Sequence, residues 1–339
     1  MDSLSAMEFG RLPSVDDVDF RMPEDPAWNE RLLANLRAGR HPSVAPGPDL
    51  RLDLRLDLRL DLRLDLRLGM ASWSDPGLVD RLGGSRDSAL SFHGRAVPSN
   101  ELNTTFYGYT KERFESWRAS VPDGFRFCPK LPRTITHDLM LEEADHEMER
   151  FVLATEALGP SRGLTWFALP PYVPATQQPR LLSFLRTWSP RLPLAVEVRH
   201  ESWFERHVFE ALVVQLRDLG VTLIVTDTAG RRDALHMHLT GASTMIRFVA
   251  NALHASDYER LDAWAERLQL WAELGLQQAY FFFHQKKEAE TVDLADHLER
   301  ALVAAAYPRL PAPLALWRAA TGYRPPARQR GLFEADGFA

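Results

Sequence analysis

Several things are scarce in this chain, and each scarcity excludes a class. A single cysteine, Cys128, stands in 339 residues, so no internal disulfide forms, which fits a reducing cytoplasm. No apolar run approaches the roughly 20 residues that a membrane helix needs, and the acidic start lacks the basic and apolar halves of a secretory signal. Positive charge is not in excess either: 40 Lys and Arg face 46 Asp and Glu, a net charge of −6. A protein-wide basic field that would hold nucleic acid regardless of sequence is thereby excluded, although a local basic site is not. No HExxH or similar local metal-ligand spacing occurs. The expectation is a soluble cytoplasmic protein without a membrane partner.

What is present is ordinary for a globular protein, with 45% hydrophobic and 25% charged residues. The length suits one large α/β domain with extensions. Residues 1–49 form a proline-rich, acidic N-terminal extension with one helical candidate, Ala27–Ala38. It is expected to pack against the domain or stay mobile. Residues 50–65 repeat the tetrapeptide RLDL. As a helix, this tract would set like charges at i,i+4 and scatter leucine around the circumference. As a strand it puts every leucine on one face. The last copy, from Leu66, is expected to serve as the first strand. The rest is either a repeat expansion or an edge that pairs with another chain.

From Leu66 the alternation is regular. Strands are expected at Leu66–Ala71, Glu101–Phe106, Phe125–Lys130, Leu164–Leu169, Leu194–Arg199, Thr222–Asp227, Thr244–Val249 and Ala279–His284. Helical spacing intervenes at Lys111–Ser120, Leu141–Leu158, Pro179–Trp188, Arg206–Leu219, Asp257–Leu274 and Val292–Ala305. Two crossovers are weak: Pro76–Ala96 has a poor pattern and Arg231–Gly241 is short. The count predicts an α/β fold, a TIM-like (β/α)8 barrel over 66–307, with a doubly wound sheet as the alternative. Residues 308–339 read as a proline- and alanine-rich tail.

One stretch organises the rest: NELNTTFYGYTKERFESWRASVPDGFRFCPKLPRTITHD, Asn100 to Asp138. It is a strand, a helix and a second strand, with charge gathered at the strand ends. Its ordered pieces ELNTTFYG, FRFCPK and ITHD resemble the core signature of the YecE-like family (domain of unknown function 72). The resemblance continues through Leu169–Pro171, LAVEVRHESW at Leu194–Trp203, Asp227, and YFFFHQ at Tyr280–Gln285. It implies a TIM barrel and leaves the activity open. The chain departs from many relatives in carrying Ala168 before Leu-Pro-Pro and Phe283-His284-Gln285 after the last strand. It also lacks Tyr-Pro around Gly83-Gly84. An amide facing the ligand is therefore expected to be lost or replaced.

In a barrel, chemistry gathers at the C-terminal ends of the strands. Glu101, Glu197, Asp227 and His284 are the candidate acid, base or metal-binding groups. Asn103, Lys130, His137, Arg199, Trp203, Arg247 and Gln285 are the candidate substrate contacts. Period two puts Glu197 and Arg199 on the inward face with Ala195, where unpaired charge is expensive. A buried bracing network is the alternative for this pair. Lys130, Arg199 and Arg247, with Arg133 in the following loop, would suit a phosphate or carboxylate. Asp227 and His137 have helix capping as their alternative, and His236 with His238 are either a metal pair or packing. Trp73, Phe106, Tyr107 and Trp203 offer stacking faces or core. A divalent metal remains open.

The tail adds one motif. Gln329-Arg330-Gly331-Leu332-Phe333 is similar to the short peptide that docks bacterial DNA sliding clamps, with Arg330 departing from the usual leucine. Its alternative is an apolar pair tying the tail to the domain. Together these readings predict an enzyme on a phosphate- or carboxylate-bearing substrate, such as a nucleic-acid or sugar-phosphate group. The rival is a non-catalytic anion or nucleic-acid binding module recruited through Gln329, Leu332 and Phe333.

Overall fold

The computed structural model describes residues 10–39, 64–82 and 85–304. Most of the RLDL tract and the clamp-like motif at Gln329, Leu332 and Phe333 lie outside these residues. Nine parallel-paired strand segments are described: β1 Asp65–Met70, β2 Ser99–Leu102, β3 Arg126–Pro129, β4 Thr165–Ala168, β5 Leu194–Glu197, β6 Thr222–Leu223, β7 Val225–Asp227, β8 Ser243–Val249 and β9 Gln278–His284. They form a six-stranded sheet, β3-β2-β1-β9-β8-β7, and a three-stranded sheet, β4-β5-β6. Every ladder is parallel. Parallel bridges Phe127↔Arg162 and Lys130↔Trp166 join β3 to the entry and middle of β4. Ile224 alone separates β6 from β7, and its N–H donates to Val196 O at 2.9 Å. The strand C-terminal ends therefore share one side of the molecule.

The helices are α1 Ala27–Arg37, α2 Pro76–Arg81, α3 Ala89–Ala96, α4 Lys111–Ala119, α5 Asp145–Thr155, α6 Gln178–Trp188, α7 Arg206–Asp218, α8 Ala255–Leu274 and α9 Thr291–Ala304. The first weak crossover resolves into α2 and α3. Asp75 caps α2 by accepting from Leu78 N at 2.9 Å, with Pro76 at the first helical position. The second expected strand is shorter than its alternation suggests, ending at Leu102. Thr105 Oγ1 donates to Leu102 O at 2.8 Å and Lys130 O at 2.6 Å, folding Asn103–Phe106 into a tight turn. Arg199 likewise lies two residues past the end of β5.

The other weak crossover, Arg231–Gly241, contains no α-helix. Here α1 of the N-terminal extension supplies the missing layer. Asn29 Nδ2 donates to Met237 O at 2.6 Å, and its Oδ1 accepts from Leu239 N at 2.9 Å. Trp28 Nε1 donates to Leu239 O at 3.1 Å. Leu32 and Leu33 are buried in one cluster with Met237, Leu239, Trp264 and Trp271. Each such leucine contributes about 1.5–3 kcal/mol of apolar burial.

Alternation sorts the strand side chains cleanly. Val196 and Val198 pack with Leu212, Val213 and Leu216 of α7. The opposite face gathers Cys128, Trp166, Ala168, Ala195, Ile224, Met245, Tyr280 and Phe282. Gly69 serves this inner face: a Cβ there would come within 2.6 Å of the Phe282 ring and 2.7 Å of Ser99 O. Among the described residues, no helix is long and apolar enough to cross a membrane.

Candidate functional site

Toward the strand C-terminal ends the inner face turns from apolar to charged. Arg247 of β8 donates through Nε and Nη2 to Glu101 of β2, at 3.0 and 3.2 Å, and through Nη1 to Glu197 of β5 at 2.8 Å. Glu197 also accepts from Arg199 Nη2 at 3.0 Å and from Thr226 Oγ1 at 3.0 Å. Glu101 accepts further from Asn103 Nδ2 at 2.8 Å and lies 3.1 Å from His284 Nε2. Seven side chains from five strands and their exits thus form one buried network. Arg247 is the hub because its planar fork serves two carboxylates at once.

Electrostatics fix the charge state of this network. Burial alone would raise the Glu101 carboxyl, but Arg247 and His284 outweigh it and hold it far below the usual range. Burial likewise opposes ionisation of Glu197, yet Arg199 and Arg247 bring it down to about 2. Both are carboxylates throughout the physiological range. Burial lowers His284 despite Glu101 beside it, and Nδ1 has no hydrogen-bond partner among the described residues. Its imidazole is neutral.

Lys130 stands apart. It follows β3, is only 4% exposed, and has its Nζ over the Phe106 ring at 4.4 Å and the Trp166 ring at 4.8 Å. Arg247 lies over the same Trp166 ring at 4.6 Å. Among the described residues, Lys130 Nζ has no salt bridge or hydrogen bond. Burial first, then Arg199 and Arg247, bring its pKa down to about 7, with Glu101 and Glu197 only partly opposing them. His137 packs edge-on to Phe106 at 5.0 Å, and burial with Lys130 lowers it to about 4. Its Nδ1 lies 2.8 Å from Thr136 Oγ1, so it does not act as a simple helix cap. Arg133 turns away to Asp138, 3.3 Å distant.

Three expected site residues lie elsewhere. Asp227 does not face Glu197; its neighbour Thr226 does. Because side chains alternate along a strand, Asp227 points outward, accepting from Arg260 Nη1 at 3.0 Å and Trp264 Nε1 at 2.8 Å, and from Arg232. It is a brace between β7 and α8. Trp203 is fully buried in the outer core, where Nε1 donates to Val173 O at 2.9 Å, so it offers no stacking face. Gln285 is buried with Oε1 accepting from Lys286 N and Ala252 N, at 2.9 and 3.3 Å, and supports a loop rather than joining the charged network. His236 and His238 pack on Phe209 at 5.0 and 5.2 Å, and His236 Nε2 lies 3.2 Å from Ile224 O. Among the described residues, no three His, Cys, Asp or Glu side chains form a group that could hold a metal.

Three contributors had gone unnoticed in the sequence. Trp166 and Thr226 were hidden because alternation pairs residues by face without saying which face is inward; the contacts of Trp166 with Arg247 and of Thr226 with Glu197 place them there. The third is Gly10, whose carbonyl accepts from Thr228 Oγ1 at 2.8 Å and Gly230 N at 2.6 Å. It brings the N-terminal extension onto the strand ends. There Arg11–Asp16, Ala250–Ala252, His254 and Lys286 line an open cleft of about 490 Å³. Ala252 and Leu253 hold left-handed φ of 58° and 60° beside it, which costs non-glycine residues on the order of 1 kcal/mol each.

Comparisons with known proteins agree on one family. The sequence profile described as "Protein of unknown function DUF72" matches residues 67–315. The UPF0759 protein YecE of Escherichia coli K12 is 30% identical over 250 residues, 68% of this chain and 90% of that protein. A DUF72 family protein from Enterococcus faecalis V583 superposes with a TM-score of 0.58 at 20% identity, covering 70% of this chain and 95% of that one. One from Thermotoga maritima gives 0.57 at 20%, covering 70% and 99%.

Proposed function

This chain belongs to the DUF72 family, and we propose that it is an enzyme acting on a small substrate that carries a phosphate or carboxylate. The observation behind this reading is a charge imbalance. With Lys130 protonated, Lys130, Arg199 and Arg247 stand beside Glu101 and Glu197 in the network, while His284 and His137 are lowered and neutral. A buried cluster short of one negative charge is completed by an anion. Arg247 is buried and bonded to the two glutamates through all three of its nitrogens, so Lys130 and Arg199 are the ligand's contacts. Asn103 and His137 flank them, both partly exposed.

The architecture we infer is a closed (β/α)8 barrel, with β6 and β7 as one interrupted strand and the β3–β4 bridges closing the ring. On that reading the network lies at the face where such barrels carry chemistry. The fold itself names no reaction. Glu101 and Glu197 are too firmly ionised to donate protons, and a dication would have to displace Arg247 from both. The titrating group suited to neutral pH is Lys130.

Calorimetric titration with inorganic phosphate and with acetate tests the anion site. One of them should bind the wild type, and Arg199→Ala should weaken that binding at least tenfold while the protein stays folded. Equal binding by both proteins, or none by either, overturns the assignment.

A second reading is a non-catalytic anion or nucleic-acid module. Tyr107, 80% exposed on the loop after β2, and Tyr172, exposed after β4, favour it, since exposed rings can stack on bases. Recruitment to a sliding clamp through Gln329, Leu332 and Phe333 belongs to this reading. Phe333→Ala should abolish binding of the Arg328–Glu334 peptide to a bacterial clamp, and unchanged binding would remove it.

A further inference from the structure

The chain is sparing with amines. Four of its 40 basic residues are lysine, at 111, 130, 286 and 287. Lys111, Lys286 and Lys287 are exposed, and the buried cations of the inner face are otherwise arginine. If the position after β3 required only positive charge, arginine would fill it as it does at 199 and 247, with better geometry for an anion. An amine differs from a guanidinium in one chemical respect that matters here: burial and neighbouring positive charge can bring its pKa down to neutral pH, where it loses its proton and becomes a nucleophile.

Burial and neighbouring positive charge at Lys130 favour that release. Its Nζ lies over the faces of Phe106 and Trp166, at 4.4 and 4.8 Å, which hold an ammonium but supply it no counter-ion. Glu101 and Glu197, the carboxylates of the network, are committed to Arg247, Arg199, Asn103 and Thr226. Neither makes a salt bridge with Lys130. Two fixed guanidinium charges share the site, and removal from water adds to their effect, which is the arrangement that activates amine nucleophiles. The pKa of about 7 agrees with this geometry.

We propose that Lys130 is a covalent nucleophile that forms an imine with the carbonyl carbon of an anionic aldehyde or ketone. The proposal rests on the anion site described above, with Arg199 holding the substrate's carboxylate or phosphate. The neutral amine's lone pair attacks the carbonyl carbon and forms a C–N bond, and the oxygen takes up a proton. The C–O bond of this carbinolamine then breaks, and both amine hydrogens leave with the oxygen as water. No oxidant, reductant or further reactant is needed. Protonated on nitrogen by solvent, the C=N bond that remains is an electron sink for breaking a neighbouring C–C or C–H bond.

Reductive trapping reads this directly. The full-length protein is incubated at pH 7 with cyanoborohydride and glyoxylate, pyruvate or glyceraldehyde 3-phosphate in turn, then mapped by peptide mass spectrometry. The expected result is a secondary-amine adduct on Lys130, formed at least tenfold faster than on Lys111, Lys286 or Lys287 with one of the three probes. Labelling at Lys130 no faster than at the exposed lysines with all three overturns the proposal. Lys130→Arg supplies the background, because a guanidinium forms no such adduct and trapping at this position is lost. Anion binding by the wild type separates the two levels of inference. Wild-type binding of those simple anions without preferential trapping leaves the anion site standing and removes the imine. Failure of anion binding as well removes both.

Discussion

Arg247 grips Glu101 with two of its N–H groups, Nε on Oε2 at 3.0 Å and Nη2 on Oε1 at 3.2 Å. Its third bond goes to Glu197 at 2.8 Å, so a single guanidinium ties β2 and β5 to β8. Both carboxylates are essentially without exposure. Arg247→Met leaves two buried negative charges with fewer partners and should cost about 3–5 kcal/mol of folding stability. Urea unfolding at pH 7 measures it. A loss below about 1 kcal/mol would mean that the network relaxes freely and is not a brace.

The same network makes stability fall in acid. Glu197 has its carboxyl lowered from 4.5 to about 2, and Glu101 shifts in the same direction. Above pH 4.5 their full contribution is present, and it is lost as pH falls through the folded values, because protonation then favours the unfolded chain. Stability should decline steadily from pH 4.5 toward pH 2. Glu197→Gln should start less stable and decline less steeply, which acid titration followed by circular dichroism would show.

Lys130 acts at the other end of the scale. Its folded value of about 7 lies below 10.5, so between these pH values the unfolded chain binds a proton that the folded chain does not. Stability from this group is therefore lowest below pH 7 and rises toward pH 10.5, by up to ~1.4 kcal/mol per pH unit. Lys130→Met should be more stable than wild type at pH 6.5, and that advantage should vanish by pH 10. Parallel urea melts at the two pH values measure the difference, and a constant difference would contradict the buried-amine assignment.

Asp227 separates brace from site. Its bonds to Arg260, Trp264 and Arg232 lie on the helix side of β7. Asp227→Asn should lower stability by about 2–4 kcal/mol and leave phosphate or acetate affinity unchanged. A tenfold affinity loss in a folded variant would return Asp227 to the site.

The outcome for Asp227 illustrates what was legible in the sequence. The succession of strands and helices along the chain and the inward set Glu197, Arg199 and Lys130 follow from periodicity, because alternation and helical spacing are local properties. Whether Thr226 or Asp227 faces inward depends on a register that only packing sets, and chemical interest pointed to the wrong one of the two. Trp203 failed similarly: an aromatic near a strand end says nothing of which side it packs on. Salt-bridge partners such as Glu101 and Arg247 are 146 residues apart, and no local pattern reports them. The contribution of α1 was illegible for the same reason. Its hydrophobic face matches a crossover more than 190 residues away.

That distant match gives the last prediction. Asn29 satisfies a carbonyl and an amide of the extended segment after β7, at Met237 and Leu239. That segment has no helix of its own to cover it. Asn29→Leu keeps the bulk and removes both bonds, leaving a buried N–H and C=O without partners. Each orphan costs about 1–3 kcal/mol, so the variant should lose about 2–5 kcal/mol in urea unfolding. Amide exchange should locate the effect, with Leu239 N–H losing protection before the β8–β9 ladder does. Unchanged protection at Leu239 would mean that α1 rests on the domain without completing it.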